Sequence, residues 1–152
     1  MSQPRAQTLR LQRAVNRIVH VLLRTPLLSR LVGARLMIID VVGRTSGKSY
    51  PVPVAYTRHD NDLLVGTSFR WGRNLRTGEP VTVLLKGKRR PAAVTVIADE
   101  PGVCEAYTIM TRDNHRFAEF NKIAIDDHGE PDRADLERAW AAGARAFRLT
   151  PA

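Results

Sequence analysis

The chain contains a single cysteine, Cys104, among 152 residues. That count excludes an intrachain disulfide and every metal site built from several thiolates, and it points to a reducing compartment. Long apolar runs are missing too. The run Ile18–Leu23 contains His20 and the run Leu36–Val42 contains Asp40, so neither approaches the roughly 18 apolar residues of a membrane span. The N-terminal apolar stretch is also too short for a secretory signal and has no small-residue cleavage site, so a cytoplasmic protein is expected. Histidines are few and scattered: His20, His59, His115 and His128 have no ligand spacing, and no metal is expected. Aromatic residues make up only 6%.

Positive charge, by contrast, is plentiful. Lys and Arg number 24 against 15 Asp and Glu, a net +9, in a chain that is 43% hydrophobic and 26% charged. Such a composition belongs to one globular domain spanning 1–152. The charge is unevenly distributed, with +6 over residues 1–40, +7 over 41–90 and −4 over 91–152. Twenty of the cations are arginine, whose planar fork suits phosphate and carboxylate.

Residues 7–24 place Leu11, Val15, Ile18, Val19 and Leu22 at helical spacing, with arginines on other positions of the wheel, which predicts a basic amphipathic helix. Thr25-Pro26 starts a second short helix ending near Gly33. These N-terminal helices (1–33) either dock on an anionic membrane surface or lie over a barrel or dimer seam.

From Arg35 the period changes. Leu36–Val42, Tyr50–Thr57, Leu63–Thr67, Val81–Leu85 and Ala92–Ala98 are short runs rich in Val and Ile, separated by tight turns, and they predict a small antiparallel barrel over 34–98. Pro51 and Pro53 both lack an N–H on the same edge of their strand, which predicts a position at a rim or a ligand-facing gap. Residues 99–152 return to helix around Val103, Tyr107 and Met110, around Arg116–Lys122 and over Asp132–Ala142, with a closing strand at Arg145–Thr150. Asp126–Glu130 reads as a solvated turn, and Cys104 as a packing residue.

Two clusters carry chemistry. Gly43-Arg44-Thr45-Ser46-Gly47-Lys48-Ser49 follows a strand but is not a nucleotide-binding P-loop. It has three residues where that motif needs four, and it runs into Tyr50-Pro51 instead of a helix. Its physics remains that of an anion-binding turn: two glycines, backbone N–H groups, two hydroxyls and two cations. Gly66-Thr67-Ser68-Phe69-Arg70-Trp71-Gly72-Arg73-Asn74-Leu75-Arg76 places three arginines, a Trp and an Asn in a strand-to-loop transition, which suits an aromatic wall with polar edges around a planar ligand.

The order Gly-Arg-Thr-Ser-Gly-Lys, Pro-Val-x-Tyr, a Ser-bearing strand end, Trp-x-x-Asn-Leu-Arg, Pro-Val-Thr-Val and a Lys/Arg-rich hairpin resembles the deazaflavin-dependent nitroreductase family over roughly residues 8–98. The resemblance implies an α+β, FMN-binding split β-barrel fold like that of the pyridoxamine oxidases, commonly homodimeric. It further implies reduction of a small-molecule quinone-, nitro- or enone-type acceptor by reduced coenzyme F420, with FMN as the alternative cofactor. Gly43, Arg44, Thr45, Ser46, Gly47 and Lys48 would then hold the coenzyme's phosphate and acidic tail. Pro53, Val54, Gly66, Thr67 and Ser68 would contact its ring, Asn74 would complete the cofactor site, and Trp71, Phe117 and Phe120 would line the substrate pocket.

Phe117 and Phe120 stand where nitroreducing members carry tyrosines, so a phenolic proton donor is missing; Ser68 and Tyr56, with Tyr107 and His115, remain as candidates. The same departure motivates an alternative, a non-catalytic split barrel carrying a cofactor or apolar ligand at a membrane surface. Nucleic acid is not expected as a partner: only Tyr50, Tyr56, Phe69 and Trp71 could serve as base platforms, and two of them lie beside the ring-binding cluster.

Overall fold

The computed structural model describes residues 35–152. The two N-terminal helices expected over 7–24 and 26–33, and with them the membrane-docking helix, lie outside the described residues. Among the described residues no helix is long and apolar enough to cross a membrane.

Among the described residues seven strands form one antiparallel sheet: β1 (Leu36–Val42), β2 (Ser49–Ala55), β3 (Thr57–His59), β4 (Asp62–Thr67), β5 (Val81–Leu85), β6 (Lys88–Ile97) and β7 (Arg145–Pro151). Their order is β2-β1-β5-β6-β7-β4-β3. The two end strands are consecutive in the chain, so the sheet curls into a half-barrel whose ends are joined through Tyr56.

The sequence predicts one strand over Tyr50–Thr57; the structure divides it. Val54 still pairs with Met37 of β1, whereas Thr57 pairs with Leu64 of β4, and between them the Tyr56 N–H donates to the Arg35 carbonyl at 3.0 Å. A single extended segment thus serves two neighbours by turning a corner. Pro51 and Pro53 sit opposite Asp40 and Ile38, on the end strand that their missing donors require.

Alternation with period two fills the barrel. Met37, Ile39 and Val41 of β1, Leu63 and Val65 of β4, Val83 and Leu85 of β5, Val94 of β6, and Phe147 and Leu149 of β7 form one buried cluster. The hairpin between β5 and β6 turns on Lys86 and Gly87, both at positive φ (48° and 77°), as a type I′ turn requires.

Three helices cover the other face: α1 (Glu100–Asp113), α2 (His115–Phe120) and α3 (Arg133–Ala141). Asp99 caps α1 by accepting from the Gly102 N–H, and Asp132 caps α3 by accepting from the Asp135 N–H. Val103, Cys104, Tyr107 and Met110 of α1 pack with Leu64 and Ala146 of the sheet and Leu136 of α3. Cys104 is buried, and burial pushes its thiol up, consistent with a packing role.

Asp126–Glu130 is more than a solvated turn. Asp126 Oδ1 accepts from the N–H groups of His128 and Glu130, and Arg112 of α1 donates to both Glu130 oxygens at 2.7 Å. The Arg112 guanidinium holds the Glu130 carboxyl below its ordinary range. Because the folded-state value is lowered, this exposed pair favours the fold above the ordinary carboxylate range and stops doing so as acid protonates Glu130.

One polar atom in the helical layer is unmatched. Thr111 is fully buried, and its Oγ1 has no hydrogen-bond partner among the described residues. Replacing it by the isosteric Val removes an unsatisfied hydroxyl, so Thr111→Val should raise stability by about 1 kcal/mol in urea unfolding. A loss of stability would mean that the hydroxyl is bonded in solution.

Candidate active site

The β1–β2 connection is held as a closed turn. The Gly43 N–H donates to the Lys48 carbonyl and the Gly47 N–H to the Gly43 carbonyl, both at 2.9 Å, while the Lys48 N–H donates to Ser46 Oγ at 3.2 Å. Gly47 sits at φ 66°, the left-handed region where glycine is unstrained. Among the described residues the N–H groups of Thr45 and Ser46 have no acceptor, and Arg44 and Lys48 have no carboxylate within 4 Å. The turn is therefore a cationic surface with open donors.

Asn74 fixes where that turn lies. It ends the 3-10 turn Arg70–Asn74, its Oδ1 accepts from the Arg44 N–H at 3.0 Å, and its Nδ2 donates to the Tyr50 hydroxyl at 3.0 Å and to the Trp71 carbonyl at 3.3 Å. Asn74 lines neither cavity described below; it ties the basic turn to the aromatic segment.

Beside this bracket is a cleft of about 160 Å³. Pro53, Val54 and Ala55 of β2 form one wall, Gly66–Phe69 at the end of β4 and Trp71 a second, and Phe117, Phe120 and Asn121 the third. Eight residues picked from the sequence for ring or substrate contact, Pro53, Val54, Gly66, Thr67, Ser68, Trp71, Phe117 and Phe120, meet here.

Ala55, Phe69 and Asn121 were missed. Phe69 belongs to the strand-end cluster but is weighed in the sequence only as a base platform, and Asn121 has no sequence signal, because only the docking of α2 brings it to the cleft. Phe69 and Phe120 meet edge to face at 6.3 Å and remain 59% and 48% exposed, so the cleft opens between two aromatic edges.

Among the described residues the lining contains no carboxylate, histidine or phenol. Its polar side-chain atoms among the described residues are the Thr67 hydroxyl, which accepts from the Phe69 N–H at 3.0 Å, the Ser68 hydroxyl, the Trp71 indole N–H and the Asn121 amide, which donates to the Phe117 carbonyl at 2.8 Å.

Tyr56 is 6% exposed, belongs to the barrel-core cluster and does not line the cleft. Tyr107 is also set aside. It is fully buried, meets Phe117 edge to face at 5.0 Å and donates to the Arg145 carbonyl at 3.4 Å, and burial pushes its phenol well up. His115 lies against Gly129, outside the cleft. Ser68, exposed at the cleft, is the one candidate of the four that the geometry leaves in reach of a ligand.

No family model and no curated protein matches the chain. Solved structures do. The heme storage protein HutZ from Vibrio cholerae is 15% identical with a TM-score of 0.51, covering 82% of this chain and 86% of its own. An F420-H2 dependent reductase, FDR-A, is 15% identical with a TM-score of 0.51, covering 76% and 93%. A Listeria innocua structure described as a candidate pyridoxamine 5′-phosphate oxidase is 10% identical with a TM-score of 0.50, covering 82% and 89%. At these identities the likeness establishes the fold alone: the chain has an α+β split-barrel fold, like its pyridoxamine oxidase-like neighbours.

Proposed function

We propose that the protein is an oxidoreductase that uses reduced coenzyme F420 to reduce a quinone-, nitro- or enone-type acceptor. The observation that carries this reading is the coupling, through Asn74, of an apolar cleft with ring-sized walls to a basic turn without carboxylates. An F420-H2 dependent reductase among the proteins of this fold supports it.

The residues fit such a group. Pro53, Val54, Gly66, Thr67 and Ser68 offer a flat, mostly apolar seat, and Arg44, Thr45, Ser46, Gly47 and Lys48 offer charge and N–H donors to a phosphate and acidic tail. When bound, the reduced deazaflavin supplies the hydride. The chain's part is to orient the reacting ring and to exclude water with Trp71, Phe117 and Phe120. With no titratable group among the described lining residues, the Ser68 and Thr67 hydroxyls, the Trp71 indole N–H and the Asn121 amide are the donors available to a reducible oxygen. FMN is the alternative occupant, its phosphate meeting the same turn.

A cleft of about 160 Å³ is smaller than the roughly 300 Å³ at which ligand pockets begin. A second copy that covers the exposed Phe69 and Phe120 edges would complete it, and a neighbour of the same fold is described as a domain-swapped dimer. The homodimer is thus part of the proposal.

Titrating purified protein with oxidised F420 and following coenzyme fluorescence tests the reading. Saturation at micromolar concentration is expected. Arg44→Ala with Lys48→Ala should weaken binding about 100-fold, since each lost charge-assisted contact contributes about 1.5 kcal/mol. Absence of binding at high micromolar coenzyme sinks it. Binding without menadione-dependent oxidation of the reduced coenzyme favours the non-catalytic carrier instead, a reading the untitratable lining also allows.

A further inference from the structure

A second cavity, of about 320 Å³, adjoins the cleft and shares Thr67, Ser68 and Phe69 with it. Three arginines from three separate elements line it: Arg44 of the β1–β2 turn, Arg73 of the 3-10 turn and Arg145 at the start of β7. No Asp or Glu lines it. Among the described residues none of the three has a carboxylate within 4 Å.

Arg145 is held in place. Its Nη1 donates to the Ala144 carbonyl at 2.7 Å and the Trp140 carbonyl at 3.2 Å, and its guanidinium lies 5.7 Å from the Trp140 ring centroid. That leaves further N–H donors on a half-buried, oriented fork. The cavity's other walls are apolar, with Leu75, Val96 and Phe147. Like charges lining one cavity repel, and nothing in the lining offsets them. A ligand anion would, while the apolar walls take its hydrocarbon.

Resting on the reading of the cleft as the ring site, we infer that this cavity is the subsite for an anionic group of the acceptor. The preferred acceptor is an organic acid, a carboxylate or phosphate attached to an apolar ring, with its reducible part in the cleft. Thr67 and Ser68, common to both cavities, sit at the junction. Arg44 borders both sites, so the acceptor's anion rests chiefly on Arg73 and Arg145, while the polyanionic coenzyme tail has the solvent-facing turn.

The test uses 2-naphthoate and its neutral counterpart 2-naphthamide, titrated into the full chain in about 20 mM salt to limit screening and followed by tryptophan fluorescence. Naphthoate should bind about ten times more tightly than the amide, and Arg73→Gln with Arg145→Gln should bring the two within about twofold. Equal affinities in the parent protein, or a preference that survives both substitutions, overturn the inference.

Should loss of the Arg145 anchor unfold the chain, the exposed Arg73→Gln alone should reduce the preference about threefold, and an unchanged preference overturns the inference again. Saturating F420 should leave naphthoate binding intact; displacement would assign the cavity to the coenzyme tail and overturn the acceptor role. Charge-selective naphthoate binding in a protein that fails to bind F420 removes the coenzyme reading and leaves the anion subsite standing.

Discussion

Phe147→Ala should lower stability by about 3–5 kcal/mol in urea unfolding. Phe147 is 1% exposed, and its ring stacks on Trp71 at 6.2 Å with 28° between planes. The barrel cannot collapse onto the missing ring, because Gly72 packs beside it: a Cβ placed on Gly72 would come within 3.0 Å of the Phe147 ring. The truncation therefore leaves a void as well as lost contacts.

Trp71 lines the cleft and Phe147 lines the arginine cavity, so the same change should also weaken both kinds of ligand and dim the near-ultraviolet circular dichroism of Trp71. A loss under about 1 kcal/mol would show that the walls between the two cavities are looser than the stacking indicates.

Gly66→Val should cost about 3 kcal/mol, against the direction that strand preference alone gives. Gly66 lies within β4 opposite Ala146 of β7. Valine favours strands, so a Gly66 that merely filled a strand position would be improved by it. A Cβ at this position, however, would lie 2.7 Å from Tyr107 Cε1 and 3.0 Å from Met110 Cε. Tyr107 is fully buried and cannot swing out, so α1 must lift from the sheet.

Phe117 rides on Tyr107, and the displacement should reach the cleft and weaken coenzyme binding too. Chemical denaturation read alongside ligand titration checks both effects. A stabilised variant would mean that α1 does not approach β4 so closely.

The close approach of α1 at Gly66 also marks a limit of sequence reading. A glycine between Val65 and Thr67 says that something comes near, or that a strand ends; it does not say that the neighbour is a tyrosine from a helix about 40 residues later. The barrel strands were legible because inward residues such as Met37, Ile39 and Val41 repeat with period two, a signal local to each strand. The division of β2 from β3 was not, since Ala55-Tyr56-Thr57 is equally good strand on both sides of the corner. Only the identity of the partner strand changes there.

For the site, resemblance and the adjacency of two clusters point to Pro53, Val54, Gly66, Thr67, Ser68 and Trp71, and these residues line one cleft. Asn74 was foreseen as a member, but its bonds to Arg44, Tyr50 and Trp71 show a bracket, a role that depends on geometry between segments 30 residues apart. Tyr56, a proton donor on paper, faces the barrel core.

The sequence by itself determined the strand-rich centre, the helical C-terminal part, the rim position of the proline-bearing strand and the basic character of the turn at Gly43–Lys48. Each follows from local periodicity, capping or charge. Tertiary structure alone decided which basic residues share a cavity. Arg44, Arg73 and Arg145 are spread over about 100 positions and carry no common motif, and they converge because β7 is inserted between β4 and β6. Long-range strand pairing brings them together, and no local pattern encodes it.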